Sequence, residues 1–248
     1  MSMSEEAIQY LMEQGIDPRD RMVTNANGQQ YVIDNNGKPN YIKPHIYNAQ
    51  DRLIIHTLSG LVDYIKSGVE RNDEQLILEI YNERHVELYS LLKADGSREE
   101  LVEAKAIIPA FDYGHFMHME EFNIALQSKF KNNHDREILL QVVGNVADEN
   151  VGQALDDGVS QSLTIKRGIS SKAQVKVPNP VVLAPYRTFL EVEQPESQFI
   201  FRMEKGPQGA IFEADGGAWR NQAINLIREY LETELKEFVE NKKIIVMA

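Results

Sequence analysis

The 248-residue chain contains no cysteine. That excludes disulfides and thiolate zinc sites, and it suits a reducing compartment such as the cytoplasm. No stretch approaches the roughly 20 apolar residues of a membrane-spanning helix. The opening residues Met1-Ser2-Met3-Ser4-Glu5-Glu6 carry neither the basic nor the apolar segment of a secretory signal. Basic residues are scarce: 26 Lys and Arg stand against 38 Asp and Glu, for a formal charge of −12. Proteins that wrap nucleic acid neutralise phosphates with a basic face, so broad DNA binding is disfavoured and only small spots such as Lys166-Arg167 remain. The charge suits a basic partner or a DNA-mimicking role, and it also serves solubility. No Walker loop, dinucleotide Gly-rich turn, nucleophile elbow or His-Glu-x-x-His pattern occurs. No cofactor is implied.

The apolar pattern that is present reads as α+β, with one main domain over residues 49–248 and a sub-boundary near 150–157. Residues 1–48 form an appended arm or hairpin. A short helix is expected over Glu5–Gln14, then extended runs at Tyr31 and Tyr41 flanking the turn Asn35-Asn36-Gly37-Lys38-Pro39. Asn48 is the expected cap of a helix whose buried stripe is Ile54, Leu58, Leu61, Val62 and Ile65. A three-strand meander follows at residues 76–81, 86–92 and 101–108. Two helices then carry Met119, Phe122, Leu126 and Phe130, and Ile138, Leu139, Val142, Val143 and Val146. The second half reads as short, mostly antiparallel strands, at 160–166, 174–177, 181–183, 188–192, 199–203 and 210–213. Pro178, Pro180, Pro185 and Pro195 confine several of them to edges or bends. A long amphipathic helix capped by Asp215 closes this half, with Trp219, Ala223, Leu226, Ile227, Tyr230, Leu235 and Phe238 on its apolar face. A last strand covers Ile244–Met247. Strands and helices in separate runs mean α+β.

Five segments stand in a recognisable order: Asp157 to Gln161, Leu183-Ala184-Pro185-Tyr186-Arg187-Thr188-Phe189, Glu191 to Pro195, Phe199 to Arg202, and Phe212 to Trp219. Over residues 155–235 these resemble the YfdQ-like family of tailed-phage and prophage proteins. The resemblance implies a phage or prophage accessory protein working in the host cytoplasm, and it implies no reaction, since that family has none assigned.

The residues themselves offer several sites. Asp215-Gly216-Gly217 reads as a strand-to-helix junction, or as bare N–H groups for an anion that Glu213 and Asp215 would repel. Trp219 reads as a core or interface anchor. If residues 187–193 are extended, Arg187, Glu191 and Glu193 share a face, and Arg202 on a neighbouring strand completes a charged ladder. That ladder is either cross-strand ion pairing, between subunits included, or a pocket where the arginines grip a carboxylate or phosphate. His115 and His118, with Asp112, Glu120 and Glu121 nearby, are weak metal candidates. Glu103 and Lys105 share a strand face behind a hairpin containing Asp95, which is the pattern of a half-exposed strand and only in part that of a magnesium nuclease, since Asp95 lies in a turn. The leading expectation is a non-catalytic accessory protein that self-associates as a homo-oligomer and binds a host protein or a small anionic ligand, in countering host defence for example. The alternatives are a magnesium-dependent nuclease or other DNA-metabolism enzyme, using Asp95, Glu103 and Lys105, and a sponge for anionic nucleotides, using Arg187 and Arg202.

Overall fold

The computed structural model describes residues 21–34, 36–42, 49, 51–69, 74–93, 96–147, 155–156, 161–167, 171–204 and 208–248. Its contacts define two units, Met1–Asn48 with Leu92–Arg98, and Ala49–Leu91 with Glu99–Ala248. In the smaller unit, β1 (Met22–Thr24), β2 (Gln30–Ile33) and β3 (Pro39–Tyr41) make an antiparallel meander. The turn between β2 and β3 is held by Asp34, whose Oδ1 accepts from the N–H groups of Asn36 and Lys38 at 2.9 Å each. Gly37 follows at φ 80°, a conformation that a side chain would strain. The helix expected at 5–14, and Asn48, lie outside the described residues.

The larger unit is α+β, built around two sheets with separate cores. Helix α1 (Leu58–Ser67) buries Leu58, Leu61, Val62 and Ile65, the i, i+3, i+4, i+7 stripe of one helical face. Thr57 caps it, its Oγ1 accepting from the Gly60 N–H at 3.1 Å, and Gly68 ends it at φ 60°. Ile54, expected inside this helix, belongs instead to β4 (Leu53–Ile55), because the cap lies at Thr57. Then come β5 (Leu76–Asn82), β6 (His85–Ser90) and β7 (Glu100–Lys105), the expected meander. With β15 (Ile244–Met247) they form a five-stranded sheet in the order β15-β5-β6-β7-β4. The two edge strands pair in parallel and the inner pairs are antiparallel. One face of this sheet, through Leu78, Ile80, Val86, Leu88, Val102 and Ala104, packs with α1 and with Ile227 and Leu231 of helix α4 (Trp219–Glu234).

The second sheet orders β12 (Val181–Leu183), β13 (Ser197–Glu204), β14 (Gln208–Glu213) and β8 (Met117–His118), all antiparallel. Phe199, Phe201 and Ile211 on one face meet Phe122 and Leu126 of α2 (Met119–Lys129) and Leu139, Val142 and Val143 of α3 (His134–Ala147). Glu120 and Glu121 in the first turn of α2 and Lys129 in its last complement the helix dipole. A small antiparallel sheet joins β9 (Leu155–Asp156), β10 (Gln161–Arg167) and β11 (Ser171–Lys176). Two expectations are corrected. Residues 188–192 form no strand, for reasons given below. The closing helix is two helices, α4 and α5 (Lys236–Glu240), broken where Leu235 leaves helical geometry with its side chain fully buried. Among the described residues, no helix is long and apolar enough to cross a membrane.

Candidate functional site

The residues expected to share one charged face are separated by the structure. The segment 184–196 is an irregular loop whose scaffold is a side chain, the buried amide of Gln194. Its Oε1 accepts from the N–H groups of Arg187 (2.9 Å) and Thr188 (3.3 Å), and its Nε2 donates to the carbonyls of Phe189 (2.9 Å) and Val192 (3.3 Å). Backbone groups that a strand would commit to neighbouring strands are satisfied internally, so no alternation holds. Glu191 instead accepts from the N–H and hydroxyl of Ser59 at the start of α1, 3.3 Å each, and Glu193 pairs with Lys131. Arg202 lies on the face of β13 opposite Ser197, Phe199 and Phe201, whereas Arg187 touches Ser197 and Phe199. The pleat therefore keeps the two arginines apart.

Arg187 and Trp219 do come together. The buried guanidinium lies 3.9 Å from the centre of the Trp219 ring, and Arg220 covers the ring at 4.9 Å. Arg187 Nη1 donates to Glu213 Oε1 at 3.0 Å, and Nη2 donates to the Ser197 hydroxyl and, at 3.4 Å, to the Pro195 carbonyl. Burial lowers the pKa of Arg187, opposed by Tyr113 and Glu213. Burial also pushes at the Asp215 carboxyl, but the Ser197 hydroxyl, the Gly217 N–H and Arg187 outweigh it and hold the group below its ordinary range. Asp215 accepts from Gly217 N–H at 3.0 Å, tying the turn before α4, and the helix itself starts from Ala218 without a side-chain cap. Gly216 and Gly217, at φ 62° and 82°, make the sharp turn expected of them. These contacts describe a brace. Both Nη groups of Arg187 donate to the chain itself, and its buried Nε has no partner among the described residues.

Tyr113 stacks on Phe199 with ring centres 5.6 Å apart, and burial pushes its phenol up to about 12, against the pull of Arg187. The folded chain keeps this proton where the unfolded chain, titrating near 10, has lost it. The resulting stabilisation is complete below pH 10 and is lost as pH rises through 12. It amounts to about 2–3 kcal/mol. Urea midpoints should therefore fall across this window, and the fall should be shallower in Tyr113→Phe.

His115 and His118 line a groove of about 630 Å³ beside α2, together with Asp112, Glu121 and Lys129. Their nearer ring nitrogens are engaged. His118 Nδ1 accepts from the Glu120 N–H at 3.3 Å, as the cap of α2, and His115 Nδ1 lies 3.2 Å from the Tyr113 carbonyl. Lys129 donates to the Ala110 carbonyl at 2.6 Å. Among the described residues, no three His, Asp or Glu side chains are placed to hold a metal ion.

The feature that sequence reading missed is the other face of the five-stranded sheet. Registers place Met247, Glu79, Glu87, Glu103 and Ile54 directly opposite one another, one residue from each strand. Three carboxylates thus stand side by side in the middle of the sheet, and the bulge pair Tyr89–Glu100 brings a fourth beside them. Like charges directly opposite destabilise a sheet. Arg52 relieves part of this, reaching Glu100 at 2.8 Å, Glu103 at 2.9 Å and Glu87 at 3.7 Å. Glu103 raises the Arg52 pKa accordingly. His85 lies 3.7 Å from Glu103, and the Tyr89 hydroxyl donates to Glu87. Glu79 has no ion-pair partner among the described residues. Ile54, Tyr81, Ile245 and Met247 frame the row as exposed apolar side chains. Glu103 and Lys105 do share this face, and Asp95 lies outside the described residues. The signal was present in the sequence as Glu79, Glu87 and Glu103 at alternate positions of three runs, but only register aligns them.

Comparison with protein-family models, with curated proteins and with solved structures finds no match to this chain.

Proposed function

We propose that the protein acts by binding rather than catalysis, and that the acidic face of its five-stranded sheet, where Glu79 and Glu87 are partly exposed and Glu103 is buried against Arg52, is the surface it presents to a basic partner. The row Glu79–Glu87–Glu103 carries this reading. A face of like charges costs stability that an alternating row would not, and a cationic partner relieves the cost when it docks. The exposed apolar residues at the ends of the row supply contact area beside the charge, in the way an interface combines anchors with a polar surround. A net charge of −12 steers a basic partner toward the chain. Within the resemblance to the YfdQ-like proteins, the wider role is that of a phage-borne accessory protein acting on a basic host protein.

A fluorescein-labelled oligoarginine peptide is the first probe, followed by anisotropy at low and at high salt. Binding should weaken with salt. The double change Glu79→Lys with Glu87→Lys should weaken it tenfold or more. Glu229→Lys with Glu232→Lys, an equal change of charge on the exposed side of α4, should act only as weakly as the altered net charge requires. Equal losses in the two double variants would reduce the interaction to bulk charge and remove the case for this face.

A further inference from the structure

The five-stranded sheet ends on β15, which is hydrogen-bonded on one side only, to β5. The Leu76 N–H donates to the Lys243 carbonyl at 2.8 Å, which shows which groups of the strand point inward. Main-chain groups alternate sides residue by residue along a parallel-paired strand. Lys243, Ile245 and Met247 therefore turn theirs to β5, and Ile244 and Val246 turn both N–H and C=O to the free edge. Among the described residues these outward groups have no backbone partner. Edge strands are ordinarily blunted by charge, proline or a bulge. Within the strand β15 has none of these, the nearest charges along the chain being Lys242 and Lys243 just before it: it reads Ile-Ile-Val-Met, pairs in unbroken register, and exposes Ile245 (39%) and Met247 (50%) on the acidic face. The opposite edge differs, since β4 is flanked by Arg52 in its ion pairs and by His56, whose Nδ1 is bonded to the Lys105 carbonyl at 3.0 Å.

We infer that β15 pairs antiparallel with β15 of a second copy of this chain, across a twofold axis at Ile245. In that register Ile244 stands opposite Val246 of the other copy, and each such pair exchanges two N–H···O bonds, four in all. Ile245 faces its own counterpart as the close, non-hydrogen-bonded pair between them. An uncharged strand complements itself and offers nothing to select a charged one. The acid rows decide the geometry further. Joined edge to edge, Glu79 of one copy lies three strand spacings (about 14 Å) across and four residues (about 13 Å) along the strands from Glu79 of the other, about 19 Å in all. That exceeds the Debye length of about 10 Å at 0.1 M salt, so the two rows tolerate each other. Stacked face to face about 10 Å apart, all the carboxylates would oppose at once. The pairing uses the edge of the sheet and leaves the row of carboxylates clear, so it stands independently of the basic-partner reading.

The absence of native cysteine makes the test direct. Ile245→Cys should oxidise to a covalent dimer in native buffer, because the Cα spacing of a close antiparallel pair, about 4.5 Å, lies within disulfide range. Ile54→Cys, at the other edge, should not. Sedimentation velocity across the micromolar range should show the unmodified chain dimerising. Val246→Pro, which removes only an outward N–H, should leave a folded monomer by circular dichroism. Ile245→Lys, which opposes two charges at the axis, should do the same and keeps the test open if the proline variant fails to fold. Oligoarginine binding should persist in the folded Val246→Pro variant, whose change lies on the edge and not on the acidic face. A monomer throughout the range, a dimer that Ile245→Lys leaves intact, or cross-linking at Ile54 in place of Ile245 would overturn the inference.

Discussion

Replacing Arg187 with alanine should lower the unfolding free energy by about 3–5 kcal/mol, the usual consequence of removing one partner from a buried ion pair. The expected readout is a lower urea midpoint with an unchanged slope, followed by the fluorescence of the single tryptophan. Three losses add up. Ser197 and the Pro195 carbonyl lose their donor, Trp219 loses the cation on one face, and a cavity opens where the guanidinium was enclosed. Glu213 moderates the loss, because its side chain is a third exposed and water takes over part of its partner's role. Arg187→Lys should recover little. A lysine ammonium cannot lie flat on the indole while donating in two directions. A loss of unfolding free energy under about 1 kcal/mol would show that the brace is not structural, and would restore Arg187 as a residue held for a ligand.

Trp219→Ala should cost a similar amount, about 3–5 kcal/mol, through the cavity left by the largest side chain of the brace. The ring is 2% exposed and is covered by Arg187 and Arg220. Trp219→Phe is the informative companion. The indole Nε1–H has no hydrogen-bond acceptor among the described residues, so its removal sacrifices no bond. The phenyl ring keeps a π face for both cations, although a weaker one. The loss for phenylalanine should therefore stay within about 1.5 kcal/mol, as for other shape-tolerant swaps. Circular dichroism melts, which do not depend on the indole, measure both variants. Equal losses for alanine and phenylalanine would mean that the Nε1–H, and not the ring stack, is what the fold uses. Arg187→Ala combined with Trp219→Ala should cost less than the sum of the two, because each removes the same contact.

Local signals in the chain are strong wherever one element decides its own form. The stripe Leu58, Leu61, Val62, Ile65 can bury itself only as a helix, and Asn36-Gly37 between two extended runs can close only as a hairpin. Gly216-Gly217 marks a turn that other residues could not make without strain. The α+β class follows from such signals, as does the return of Ile244–Met247 to the sheet. Residues 188–192 alternate as a strand would, while the backbone bonds that cancel a strand come from one glutamine amide, Gln194. Arg187 and Arg202 looked alike in the sequence, and the pleat of β13 places them on opposite sides.

What the sequence determined by itself is the identity of the elements with a strong local pattern and the sign of the charge, because helical stripes, turn residues and net charge depend on neighbours along the chain. Tertiary structure alone decided which carboxylates meet. Glu79, Glu87 and Glu103 line up only because three strands pair in one register, and a shift of one residue would turn each to the other face. The same holds for the approach of Arg187 and Arg220 to the Trp219 ring, and for the bare edge of β15, which exists because no described strand follows it in the sheet. The meander strands pair with near neighbours along the chain, but β4 and β15 pair with strands tens of residues or more away. No local pattern encodes that choice, since it is made by the burial of two whole sheet faces at once.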